Sequence, residues 1–166
     1  MKKNLYLLRH AMADERLGDQ HDSDRTLTST GLQNATRMGI NFLNKQYQFD
    51  IIISSPAVRA ISTATLIAEQ IKYDPAKIHQ NQEIYEASTR TLLQVINHLK
   101  EDWQNVLIVG HNPSLTYLAE YITKSEIGNI TTCGVAQIEF DKMKWEEISE
   151  STGHLVNYQY PDLLNF

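Results

Sequence analysis

The sequence predicts an α/β domain of three layers (α/β/α), a mostly parallel sheet with helices on both faces. Three observations lead there. Short apolar runs alternate with stretches whose apolar residues recur at helical spacing, and such alternation favours parallel strands joined by crossover helices. The runs Ile51–Ile53 and Val106–Val109 are apolar throughout, as in strands buried on both faces. The chain has 166 residues, which suits one domain over residues 1–166 with a substantial core.

The elements follow in order. Asn4 to Leu8 is a short inner strand. Ala11 to Leu27 is polar, a loop long enough to be functional. Thr28 reads as the N-cap of a helix carrying Leu32, Ala35, Gly39, Phe42 and Leu43. Asp50 to Ser54 is a buried strand; Ser55 is expected to cap the next helix, with Pro56 at its first position and Ile61, Ala64, Ala68 and Ile71 facing inward. A short strand near Ile78 precedes a helix capped by Ser88 and carrying Leu92, Val95, Ile96 and Leu99. Val106 to Val109 is the clearest strand, and Leu115, Leu118, Ala119 and Ile122 pattern the helix after it. Val135 to Phe140 and Trp145 to Ile148 are expected to form an antiparallel hairpin at a sheet edge.

Composition narrows the function classes. With 15 Lys and Arg against 20 Asp and Glu, the net charge is -5, so nothing general draws the chain to nucleic acid or to an anionic membrane. The one cysteine, Cys133, can form neither an internal disulfide nor a cysteine zinc site, and suits a reducing compartment. The apolar run Leu5–Leu8 ends at Arg9, far short of the roughly 7–15 residues of a signal core or the roughly 20 of a membrane span. A cytoplasmic domain is expected, without metal or cofactor.

In an open parallel sheet the ligand lies beyond the carboxyl ends of the strands. The first strand ends in Arg9-His10, the second runs on to Arg59, and the Val106–Val109 strand ends in Gly110-His111. Arginine gives a bidentate grip on a tetrahedral oxyanion, and helix N-termini after Pro56 and Pro113 would add N–H groups. A neutral imidazole can attack phosphorus when its other ring nitrogen is pinned. Singly, each residue reads as ordinary surface or capping chemistry; jointly, on one rim, they read as a phosphate site.

These residues carry a resemblance. Leu8-Arg9-His10-Ala11, Asp24-Arg25-Thr26-Leu27-Thr28 with Gly31, Ser54-Ser55-Pro56-Ala57-Val58-Arg59-Ala60 with Thr63-Ala64, and Val109-Gly110-His111-Asn112-Pro113 match, in order, blocks of the histidine phosphatase superfamily with its phosphoglycerate-mutase-like fold. Within it the chain resembles the small SixA-type phosphohistidine phosphatases. The resemblance implies His10 as nucleophile through a covalent phosphohistidine, Arg9 and Arg59 on the phosphoryl oxygens, and His111 completing the pocket. Arg25 is either a fold anchor or a further substrate-binding residue at the rim. Glu86, or failing it Glu83, falls where relatives acting on esters keep a general acid. Without such an acid a phosphoramidate suits the site better than an ester, because its imidazole can leave already protonated. The implied substrate is phosphohistidine in a protein.

Other readings are a general small-molecule phosphomonoesterase and a non-catalytic phosphate- or phosphohistidine-binding module. A cysteine phosphatase is excluded, since Glu139 stands where its arginine would follow Cys133. Asp22-Ser23-Asp24-Arg25-Thr26 mimics an aspartate-nucleophile motif but follows no strand. His21, His79, His98 and His154 show no metal-ligand spacing. The acidic loop Asp14 to Asp24 either selects a partner or is a solvated face.

Overall fold

The computed structural model describes residues 2–164. In chain order these form β1 (Lys2–Arg9), α1 (Ser29–Asn44), β2 (Ile51–Ser54), α2 (Val58–Gln70), β3 (His79–Gln80), α3 (Thr89–Asn97), β4 (Asn105–Gly110), α4 (Ser114–Thr123), β5 (Val135–Asp141) and β6 (His154–Gln159). One six-stranded sheet runs β3-β2-β4-β1-β5-β6. The first four strands in that order are parallel; β5 and β6 add antiparallel at one edge.

The period-two alternation of the central strands divides two cores. Leu5, Leu7, Val106 and Ile108 face α3 and α4, with Leu92, Ile96, Leu115, Leu118 and Trp145. Tyr6, Leu8, Leu107 and Val109 face α1 and α2, with Ala35, Met38, Phe42, Ala64 and Ile67. Burial on both sides explains why these strands read as continuous apolar runs. Among the described residues no helix is long and apolar enough to cross a membrane.

The long segment between β1 and α1 is ordered by its own backbone. Ala13 bridges Leu27, Asp14 N–H donates to Thr26 O at 2.8 Å, and Thr28 N–H donates to Met12 O at 3.0 Å. A one-turn 3-10 helix, Asp22–Asp24, lies within it. Thr28 caps α1 by accepting from Gly31 N–H. A Cβ on Gly31 would overlap the carbonyl oxygen of Met12. Gly31→Ala is therefore expected to destabilise the fold by about 1–3 kcal/mol, as overpacking does. Denaturant unfolding at equilibrium checks this, and an unchanged midpoint would contradict it.

Several local expectations need correction. Ser55 and Pro56 do not begin α2: its N-cap is Ala57, and Ser55 Oγ instead accepts from Ala57 N–H at 3.2 Å. The inner face of α2 is Ala60, Thr63, Ala64, Ile67 and Ala68, with Ile61 and Ile71 only half-buried. Leu32 and Leu43 are exposed on α1. Trp145–Glu147 is a 3-10 turn rather than a strand. Its fully buried Trp145 closes the α3/α4 core against Phe140, its indole N–H donates to Trp103 O, and its backbone N–H is taken by Glu101. The outer strand comes later, at His154–Gln159, so the C-terminal segment packs on the sheet as far as it is described.

Candidate active site

The carboxyl ends of β1, β2 and β4 bring the candidate residues together. His10 follows β1 directly and is buried. Its backbone N–H donates to Gly110 O at 3.1 Å, so the end of β4 holds the end of β1. The ring Nδ1 lies 2.7 Å from Ala11 O. A carbonyl only accepts, so Nδ1 carries the proton and Nε2 keeps its lone pair. Ala11 N–H in turn donates to Thr63 Oγ1 at 3.0 Å, and that hydroxyl donates to Arg59 O at 2.7 Å. The backbone carrying the pinning carbonyl is thereby tied to α2.

Arg59 lies in the first turn of α2 and is 6% exposed, a degree of burial that demands partners for its charge. Its Nε donates to His10 Nε2 at 3.3 Å. Nη1 donates to Asp22 O at 2.9 Å and Nη2 to Asp22 Oδ2 at 3.0 Å. Arg9 is half-buried, with Nη1 on Ile130 O at 3.1 Å and no hydrogen-bond partner for its buried Nε.

His111 follows β4, with its ring centroid 5.2 Å from that of His10. Its Nε2 is 2.7 Å from Ser55 Oγ, and its buried Nδ1 has no partner. Ser55 Oγ already accepts from Ala57 N–H, which leaves its hydroxyl proton for His111 Nε2. This assignment makes Nδ1 an N–H. Two buried N–H donors, on Arg9 and on the His111 ring beside His10, therefore have no acceptor, a condition that buried polar groups in native structures rarely show.

Electrostatics keep both imidazoles neutral. Burial, with Arg59, Arg9 and Arg25 adding to it, lowers His10 to about 4 against the opposing effect of the hydrogen bond that Nδ1–H donates to Ala11 O. Burial first, then His10 and Arg59, lower His111 to about 3. Ring resonances of both are therefore expected to stay in the neutral form from pH 7 down to pH 5 in an NMR titration; a midpoint near 6.5 for either would contradict this. The same depression makes stability depend on pH. Below about 6.5 the unfolded rings take protons that the folded rings refuse until about 4 and 3. Stability is full above that range and falls as the pH drops through it.

The remaining candidates divide. Arg25 is half-buried and does not touch His10: its Nη1 donates to Asp22 Oδ1 at 2.9 Å and its Nε to Asp14 O at 2.8 Å. That is an anchoring geometry, with its charge close enough to act on His10. Glu86 is exposed at φ 55, next to Tyr85, and makes no described hydrogen bond to His10, Arg59 or His111. Glu83 is exposed and lines a separate cavity with His79, His98 and Trp103.

Three participants escaped the sequence reading. Ser55 looked like a helix cap and is instead the partner of His111. Asp22 looked like one charge in an acidic run. Tyr85, between the two candidate acids, packs edge-on against His111 at 5.6 Å and donates its hydroxyl to Asp22 Oδ2 at 2.7 Å. No local spacing signals these contacts, which join residues far apart in the chain. Among the described residues no group of three or more His, Cys, Asp or Glu side chains is placed to hold a metal ion.

Fold and site define an α/β protein that gathers two arginines and two neutral histidines at the carboxyl ends of its parallel strands. The sequence profile of the histidine phosphatase superfamily (branch 1) matches residues 5–90, more than half of the chain, and the protein belongs to that superfamily. The matched span holds Arg9, His10, Arg25 and Arg59 and stops before His111. Among solved structures, the chain is similar to a protein assigned as the phosphohistidine phosphatase SixA of Agrobacterium tumefaciens, at 25% identity and a TM-score of 0.79 over 96% of this chain and 98% of that one. It is similar to the protein histidine phosphatase SixA solved with tungstate, at 21% identity and a TM-score of 0.82 over 98% and 99%. It also resembles a phosphoglycerate mutase of Bacillus anthracis, at 16% identity and a TM-score of 0.70 over 96% and 91%. The chain is thus SixA-type in its likeness, with the phosphoglycerate-mutase-like architecture.

Proposed function

We propose that this phosphatase removes the phosphoryl group from phosphohistidine in a protein, without a metal, through a covalent intermediate on His10. The observation that carries the reading is the state of His10. It is neutral, its Nδ1–H is pinned on Ala11 O at 2.7 Å, and its Nε2 lone pair faces a guanidinium N–H. An imidazole so held is an oriented nucleophile. The unpartnered N–H groups of Arg9 and His111 suit the equatorial oxygens whose charge an in-line transfer spreads.

In the first step His10 Nε2 forms a bond to phosphorus as the P–N bond of the substrate breaks. The bonding pair goes to the substrate imidazole, which arrives protonated on its other nitrogen and leaves neutral. In the second step water forms a P–O bond and the P–Nε2 pair returns to His10, with the water proton passing to the departing phosphate. Neither step requires a carboxylic acid on the leaving group, in keeping with the exposed, unengaged position of Glu86. An alkoxide leaving group would require one.

The test is phosphate release from a phosphohistidine protein and from a phosphoserine peptide, with EDTA, for wild type and His10→Ala. Release from phosphohistidine alone, lost in His10→Ala, is the expected result. Comparable release from the ester would point to a general phosphomonoesterase with Glu86 or Glu83 as its acid. Absence of turnover, with phosphate still bound, would point to a binding module.

A further inference from the structure

Asp22 presents a puzzle of sign. A pocket meant to grip a phosphoryl dianion carries a carboxylate 3.0 Å from its most buried arginine. Negative charge there works against anion affinity, so electrostatic attraction of substrate does not explain it.

The geometry of the guanidinium does. Arginine has five N–H donors in a fixed fork, one on Nε and two on each Nη. Asp22 takes one from Nη1 with its backbone carbonyl and one from Nη2 with Oδ2. Both contacts fall on the end-on edge of the fork. The side-on edge, Nε–H with the neighbouring Nη2–H, is left on the His10 side, where Nε already reaches Nε2. The carboxylate is itself immobilised: Tyr85 donates to Oδ2 at 2.7 Å and Arg25 to Oδ1 at 2.9 Å. These donors hold it ionised, the Tyr85 hydroxyl most strongly and then Arg25 and Arg59, well below the usual carboxylate range. Tyr85 also packs against His111. One carboxylate thus fixes the arginine on one side of the pocket and the aromatic wall behind the second histidine on the other.

We propose that Asp22 is a positioning residue: its grip on the end-on edge of Arg59 keeps the side-on fork in line with His10 Nε2, and its bond to Tyr85 holds the His111 side of the pocket. An arriving phosphoryl group displaces the Arg59–His10 hydrogen bond and meets a fork already aimed. The inference rests on the His10 reading above and goes beyond it, because it assigns a role in geometry to a residue that weakens anion binding.

The test compares Asp22→Asn, which keeps shape but loses charge, and Asp22→Ala with wild type. The readouts are kcat on a phosphohistidine protein and the dissociation constant of inorganic phosphate, with circular dichroism and thermal midpoints reporting the fold. Expected are a fall in kcat of about 10- to 100-fold, the scale of a small misplacement of a reacting group, and phosphate binding as tight as wild type or tighter. Tyr85→Phe is expected to lower kcat less than Asp22→Ala. Unchanged kcat in both Asp22 variants would overturn the proposal. So would phosphate affinity falling in step with kcat, or unfolding of both variants, since each makes Asp22 a structural anchor only. If Asp22→Ala alone unfolds, Asp22→Asn decides. A wild type that releases no phosphate sinks the His10 reading and this proposal together, whereas an active wild type matched in kcat by both Asp22 variants sinks this proposal alone.

Discussion

His10→Ala is expected to lower phosphate release by at least about 10⁴-fold, the scale seen when a covalent nucleophile is removed. The magnitude follows from the arrangement around it. The neighbouring imidazole, His111, is committed through Nε2 to Ser55 Oγ and stands 5.2 Å away, centroid to centroid. The buried thiol of Cys133 is pushed up to about 12 by its apolar surroundings and is no substitute. Folding is expected to survive, because the ring makes one described bond to the backbone and the strand end is held through main-chain groups: His10 N–H on Gly110 O and Cys133 N–H on Arg9 O and His10 O. Phosphate binding is therefore expected to persist while turnover disappears. Single-turnover kinetics and phosphate titration on the same preparation separate the two. Residual turnover within tenfold of wild type would contradict the assignment.

Arg59→Lys is the second large effect, expected to cost about 10²–10³-fold in kcat, comparable with loss of one preorganised oxyanion donor. The substitution conserves charge, so a purely electrostatic role would lose little. The structure gives Arg59 three simultaneous tasks on three nitrogens: Nε on His10, Nη1 on Asp22 O and Nη2 on Asp22 Oδ2. A lysine has one nitrogen on a flexible stem and cannot hold the Asp22 segment while presenting a planar fork. A weakened pairing of the Asp22–Asp24 turn should accompany the rate loss, visible as faster amide exchange there. Wild-type kcat in Arg59→Lys would show that charge alone suffices.

The fold was legible because period and burial agree. Leu5 to Leu8 and Val106 to Val109 read as inner strands, and the structure buries both on two faces. The same alternation that places β1, β2 and β4 side by side brings Arg9, His10, Arg59 and His111 to one rim, so the cluster was legible in the order of the strands alone. The failures have physical causes. Ser55-Pro56 is a sound local start for a helix, but the chain turns later and uses the serine hydroxyl to orient His111. Trp145 to Ile148 has strand composition, yet a large indole with a polar N–H finds a better place as a core plug with its own acceptor. Asp22 and Tyr85 act through contacts spanning 63 positions of sequence (Tyr85 to Asp22) and 37 (Arg59 to Asp22), beyond any local pattern.

The most direct test of the account is to trap the phosphoenzyme. The protein is quenched at alkaline pH during turnover of a phosphohistidine protein, digested, and the modified residue and ring nitrogen are located by mass spectrometry and phosphorus NMR. Because Ala11 O holds Nδ1–H, phosphorus is expected on Nε2 of His10. Phosphate on Nδ1, on His111 or on another residue, or turnover with no covalent intermediate, would contradict it.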